Sequence, residues 1–89
     1  MRVTAFFATT SFYLIMEFNA KEYRLLDIKQ FLKNEKGKLA ELCNDDMFQT
    51  AKLDRKAGTV VWENGVDFDP EILFQASVSI DRILGNEGE

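Results

Sequence analysis

Thr59-Val60-Val61-Trp62-Glu63-Asn64-Gly65-Val66-Asp67-Phe68-Asp69-Pro70-Glu71-Ile72-Leu73-Phe74 places three local signals in direct succession. The β-branched opening reads as a strand over Thr59 to Glu63. Asn64-Gly65 then reads as a two-residue type I′ turn, pairing Glu63 with Val66, Trp62 with Asp67 and Val61 with Phe68. Asp69 follows at a helix N-cap, with Pro70 at the first helical position, where its missing N–H costs nothing. Glu71 occupies the first turn, which the helix dipole favours. Ile72, Ala76, Ile80, Ile83 and Leu84 continue one face, so the helix is expected to run past Leu84 and fray at Gly85. Ser77 and Ser79 beside Val78 weaken its middle and leave two shorter helices open.

Upstream, Val3 to Ala8 reads as a first strand and Thr9-Thr10-Ser11 as the turn after it. Phe12 to Phe18 is a second strand, with Phe12, Leu14, Met16 and Phe18 on one face. Asn19-Ala20-Lys21 is a hairpin connection, less emphatic than Asn-Gly because Ala tolerates positive φ poorly. Tyr23 to Leu26 returns as the third strand. Asp27 can cap a short helix edged by Ile28, Phe31 and Leu32, with Gln30 reaching back to the cap amide. Asn34-Glu35-Lys36-Gly37 breaks that helix. Lys38 to Cys43 presents Leu39, Leu42 and Cys43 at helical spacing, and Asn44-Asp45-Asp46 forms a new cap or turn before Met47 and Phe48. A strand at Ala51 to Asp54 and a loop through Gly58 lead back to the quoted stretch.

Both halves thus share an order of strands, turn, Asp cap and helix. The fold class this implies is α+β: one domain over residues 1–89, made of duplicated βββα-like halves with antiparallel hairpins and a short helical insert between them. Neither hairpin is stable alone in water, so the halves must share a core. Residues 77–89 are expected as a helical extension and frayed tail.

Composition limits the chemistry. The chain contains no histidine, which removes the commonest general base, the commonest zinc ligand and every Ser-His or Cys-His nucleophile pair. The lone Cys43 cannot form an internal disulfide or a multi-thiolate zinc site and is expected as a small core filler, which suits a reducing cytoplasm. Val3 to Met16 carries no charge, yet its threonines, its alternation and its length fit a strand better than a signal peptide or a membrane span. The net charge of −4 is concentrated toward the C-terminus. Lys29, Lys33, Lys36 and Lys38 are scattered, which disfavours direct nucleic-acid binding. No Gly-rich phosphate loop or nucleophile elbow is present.

Two groups remain as candidate sites. Asp67, Asp69 and Glu71 could supply oxygen ligands to a divalent cation or small ligand, but capping and dipole roles account for Asp69 and Glu71 and no calcium-loop spacing is present. No metal and no cofactor is expected. In the type I′ register Trp62 shares a face with Asp67, and both faces of so small a hairpin cannot be equally buried. Trp62 and Asp67, with Ile80, Ile83 and Leu84, are therefore candidate partner anchors, against the plainer reading that Trp62 covers a core edge. Tyr13 and Tyr23 could stack on a ligand, though strand aromatics usually pack.

The order of strand, turn and capped helix, followed by T-V-V-W-E-N-G-V-D-F-D-P-E-I-L-F, resembles the small bacterial proteins grouped as domain of unknown function 2442. Trp62, Asn64-Gly65, Asp67, Asp69-Pro70 and Leu73 match its signature, and Phe18 with Asp27 an earlier block; the likeness covers about residues 3–76. Ala20-Lys21 departs from it, since the family tends toward glycine at that turn. The resemblance implies an α+β fold and an accessory or antitoxin-like binding role without catalysis. The expected partner is a small protein or a second copy of the chain.

Overall fold

Alternation of side chains builds the larger of two sheets in the computed structural model, which describes residues 1–81. Strands β1 (Val3–Ala8), β2 (Tyr13–Phe18) and β3 (Glu22–Asp27) form an antiparallel meander. Leu14, Met16 and Phe18 point inward from β2 and are buried, as their period-2 spacing requires. Phe12 lies just outside β2 at φ 66°, a left-handed conformation unusual for an aromatic residue. Its ring stacks on Phe48 at 5.4 Å between centroids, with the Lys29 ammonium 4.3 Å from its own centroid.

The β2–β3 turn takes the left-handed conformation at both central residues, Asn19 at φ 54° and Ala20 at φ 57°. The Lys21 amide donates to the Phe18 carbonyl at 2.9 Å, closing a two-residue turn. Neighbours hold it there: the Asn19 side chain accepts from the Arg2 amide, and Thr4 Oγ1 accepts from the Ala20 amide, both at 3.0 Å. Alanine in this conformation is strained by roughly 1 kcal/mol. Ala20→Gly is therefore expected to raise stability by about 0.5 kcal/mol, the strain relief less glycine's entropy cost, and to lift Tm by a few degrees in a calorimetric scan. A lowered Tm would mean that the Ala20 methyl group contributes packing that outweighs the strain.

Local caps set the helices. Asp27 Oδ1 accepts from the Gln30 amide to start α1 (Ile28–Phe31). After α2 (Lys38–Glu41), Asn44 accepts from the Asp46 and Met47 amides to start α3 (Asp45–Phe48). Strands β4 (Lys52–Asp54) and β5 (Thr59–Val61) form a separate two-stranded sheet. Their turn is held by Asp54, whose side chain accepts from the Lys56 and Ala57 amides. Gly58 closes that turn at φ 70°, and a Cβ there would lie 2.6 Å from the Arg2 Cβ, so only glycine lets the carbonyl reach the Val3 amide at 2.8 Å.

The Asn64-Gly65 bend differs from expectation by one residue. Of its residues only Gly65 has positive φ, at 92°. The Gly65 amide donates to the Trp62 carbonyl and the Trp62 amide to the Val66 carbonyl, each at 2.9 Å. The loop is therefore three residues, Glu63 to Gly65, a type I turn followed by a left-handed glycine, and Val61 rather than Trp62 pairs with Asp67. The Asn64 amide nitrogen explains the choice, since it donates to the Lys38 carbonyl at 3.1 Å and to Glu41 Oε1 at 2.8 Å, tying the loop to α2. A one-residue slip reverses which face each side chain takes. Trp62 is turned inward.

Asp69 Oδ1 accepts from the Glu71 amide, and Pro70 begins α4 (Pro70–Ala76) as read from the sequence. The helix stops at Ser77 instead of running on, Val78–Ser79 form β6, which pairs antiparallel with β3, and helical backbone resumes at Ile80 and Asp81, nearer the alternative of two shorter helices. Serine and valine are weak helix formers, and the Arg24 guanidinium captures both the Ser77 carbonyl (2.8 Å) and Oγ (2.9 Å). The expected face of Ile72, Ala76 and Ile80 is accordingly broken: Ile72 and Ala76 are exposed, Leu73 is the buried residue of α4, and Ile80 lies beyond β6. Ile83 and Leu84 lie outside the described residues.

The architecture is α+β, a four-stranded antiparallel sheet of order β1-β2-β3-β6 beside the β4–β5 hairpin. In the second half the position of a third strand is reduced to the single bridge of Asp67 with Val61. One core joins everything: Val3, Leu14, Met16, Phe18, Leu26 and Ile28 from the first half meet Leu42, Phe48, Val60, Trp62, Val66 and Leu73. No buried side-chain nitrogen or oxygen among the described residues lacks a hydrogen-bond partner. No described helix is long and apolar enough to cross a membrane.

Candidate protein-interaction surface

All the core residues of the meander point to one side of its sheet, and the helices and the β4–β5 hairpin cover that side. The pairing register gives the opposite face. Phe7 stands beside Ile15, Ile15 beside Leu25 and Leu25 beside Val78, an apolar row running across all four strands. Ala5, Glu17 and Tyr23 make a second row, and Tyr13 with Asp27 a third. Phe7 is 64% exposed, Tyr23 52% and Val78 45%; Ile15 and Leu25, in the middle, are half-buried by their neighbours. A sheet with one solvated face normally alternates apolar with polar residues. This one carries apolar side chains on both faces.

On that face Ala5, Phe7, Ile15, Glu17 and Tyr23, with Phe6 of the covered side at the strand's edge, line a shallow hollow of about 160 Å³. Its one charged group is held in place. Thr4 Oγ1 donates to Glu17 Oε1 at 2.8 Å, and the Tyr23 hydroxyl donates to Glu17 Oε2 at 2.9 Å. That hydrogen bond and the adjacent negative charge raise the Tyr23 pKa above its ordinary 10.0, because both favour the protonated phenol. A second hollow, lined by Arg2, Val3, Thr4, Leu53 and Arg55, is more polar, and there an Arg2 guanidinium nitrogen donates to the Arg55 carbonyl.

The residues singled out in the sequence are placed differently. Trp62, which the sequence left open between partner anchor and core-edge cover, is only 2% exposed, as the core reading has it; its indole N–H donates to the Phe48 carbonyl at 3.1 Å, and its ring meets Phe48 and Phe68. It closes the core and offers a partner no surface in this conformation. Asp67 is exposed and no longer shares a face with Trp62. Asp69 is engaged in capping, Glu71 points to solvent, and no group of three or more His, Cys, Asp or Glu among the described residues is arranged to hold a metal ion. Cys43 is half-buried against the core. Lys29, Lys33, Lys36 and Lys38 are all exposed, and Lys29 is drawn to the Phe12 ring.

The open face itself escaped the sequence reading, although a signal for it was present. Ala5 and Phe7, Tyr13 and Ile15, and Tyr23 and Leu25 occupy the alternate positions of the three strands, where a one-sided sheet would carry polar residues. The family model described as "Protein of unknown function (DUF2442)" matches residues 3–79, taking in β6 as well as the region of the resemblance. No curated protein and no solved structure matches the chain.

Proposed function

The chain belongs to the DUF2442 family, and we propose that it is a non-enzymatic interaction module whose open sheet face binds a small basic protein. The observation that carries this reading is the cross-strand row Phe7–Ile15–Leu25–Val78. Contiguous exposed apolar surface in a water-soluble fold marks a contact site more often than scattered hydrophobic residues do. Charge selects the partner. Glu17 and Asp27 are the charged residues at the outward register positions, no Lys or Arg joins them there, and the whole chain carries −4. A basic partner is attracted over distance and steered toward the face.

Area argues against a second copy in this place. Three strands roughly 20 Å long and the two-residue β6, about 4.8 Å apart, give a footprint of about 300 Å². A stable interface needs roughly 800 Å² per partner. Two copies pressed together would bury too little while opposing like charges, whereas a different protein can extend beyond the sheet. An accessory or antitoxin-like role in the bacterial cytoplasm suits such a module.

Placing a photo-crosslinking residue at position 7 in the native host identifies what lies on this face. Affinity for that protein, purified, is then measured with wild-type chain and with Phe7→Ser. The reading expects a basic protein, salt-weakened binding, and a loss of about 30-fold for Phe7→Ser, the scale of an interface hot spot. Cross-linking to another copy or to nucleic acid, or equal affinity for the variant, would reject it.

A further inference from the structure

We infer that the hollow beside Glu17 is a receptor for one cationic side chain, an arginine or lysine of the partner; this rests on the binding reading above and specifies its anchor. The Glu17 carboxylate takes one hydrogen bond on each oxygen, from Thr4 and from Tyr23, and both donors are neutral hydroxyls. Each oxygen keeps acceptor capacity, since a carboxylate offers about four lone-pair directions. Among the described residues the one ion pair is Arg24 with Glu22, so none of their cations is within ion-pairing distance of Glu17.

The walls suit the stem of a long basic side chain. Phe7 and Ile15 supply apolar surface for methylenes, as Lys and Arg seek when their charge remains hydrated or paired. Phe7 and Tyr23 add aromatic groups that attract a cation. Glu17 is also fixed in position before anything binds, because its two hydroxyl partners come from different strands, Thr4 from β1 and Tyr23 from β3. Little side-chain freedom is left to lose on binding. A neutral side chain would fill the same volume but leave the carboxylate desolvated and unpaired, and that difference is the source of selectivity.

The test needs no identified partner. Isotope-labelled full-length protein is titrated with n-butylguanidinium, n-butylammonium and neutral n-butylurea, and backbone amide shifts are followed by NMR. Saturable shifts are expected at Ala5, Phe7, Ile15, Glu17 and Tyr23 with both cations. The dissociation constant should be on the order of 10 mM for ligands this small, and n-butylurea should bind at least about tenfold more weakly. Glu17→Gln should abolish the preference for cations. Phe7→Ser, which alters an exposed wall and leaves the core untouched, should weaken cation binding about tenfold and guards against a folding defect in the first variant. Shifts absent or spread over the surface, equal binding of the urea, a preference retained in Glu17→Gln or undiminished binding to Phe7→Ser would each overturn the inference. A partner that cross-links at position 7 while the small cations ignore the hollow would sink this anchor and leave the interaction face standing.

Discussion

Trp62→Ala is expected to remove about 3–5 kcal/mol of folding stability, much of what a domain of this size possesses. The side chain is almost wholly buried between Phe48 and Phe68, with ring centroids 6.4 and 6.0 Å away. Truncation leaves a cavity bounded by the β5 end and α3, elements too short to close over it. It also removes the indole donor from the Phe48 carbonyl, which keeps only the longer bond from the Ala51 amide at 3.4 Å. Trp62→Phe should cost about 1–2 kcal/mol, because most of the area survives and the hydrogen bond does not. Urea denaturation followed by far-UV circular dichroism measures both. Trp62 is the only tryptophan, so wild-type fluorescence offers an independent check: blue-shifted emission and weak acrylamide quenching. A loss under about 1 kcal/mol for the alanine variant would favour the surface-anchor role over the core role, the two readings its sequence context leaves open.

The two roles open to Trp62 in the sequence show what this chain discloses locally and what it conceals. Asp27 and Asp69 were legible as caps, and Asn44-Asp45-Asp46 as a cap or turn, because each cap bonds amides two or three residues ahead, a span any reader of the sequence can measure. The core face of β2 was legible for the same reason. The Asn64-Gly65 bend was also visible, yet its length was set by the Asn64 contact with Lys38 and Glu41, more than twenty residues upstream. One residue of register then decided whether Trp62 faced solvent or core. The end of α4 was likewise decided by Arg24, 53 residues away from Ser77. The open apolar face was harder still to see, because its fourth member, Val78, joins Phe7, Ile15 and Leu25 only once β6 pairs with β3. Carboxylates at Asp67, Asp69 and Glu71 looked like a cluster along the chain, but the change from extended backbone to helix points them apart.

Arg24→Leu is expected to cost about 2–3 kcal/mol and to loosen a single region, the seam between β3 and the end of α4. Four contacts meet at this guanidinium. Nε and Nη2 donate to Ser77, Nη1 donates to Glu22 at 2.7 Å, and Cζ lies 3.9 Å from the centroid of the Phe74 ring. The Glu22 carboxylate side chain is 41% exposed, so solvent screening leaves that ion pair a minor share. The Ser77 bonds matter more, since Ser77 is buried and its carbonyl ends a helix. Arg24→Lys separates charge from geometry: it retains a cation near Glu22 and Phe74 but cannot supply the planar fork to Ser77. Lysine should therefore recover less than half of the loss. Hydrogen exchange locates the effect, with faster exchange expected at Ser77, Val78 and Ser79 and little change at Val60 or Leu73. If lysine restores full stability, the fork to Ser77 is not what anchors the seam. The consequence reaches the other side of the sheet. Val78 completes the apolar row only while β6 stays paired with β3, so loosening this seam should weaken partner binding even though Arg24 projects from the covered face.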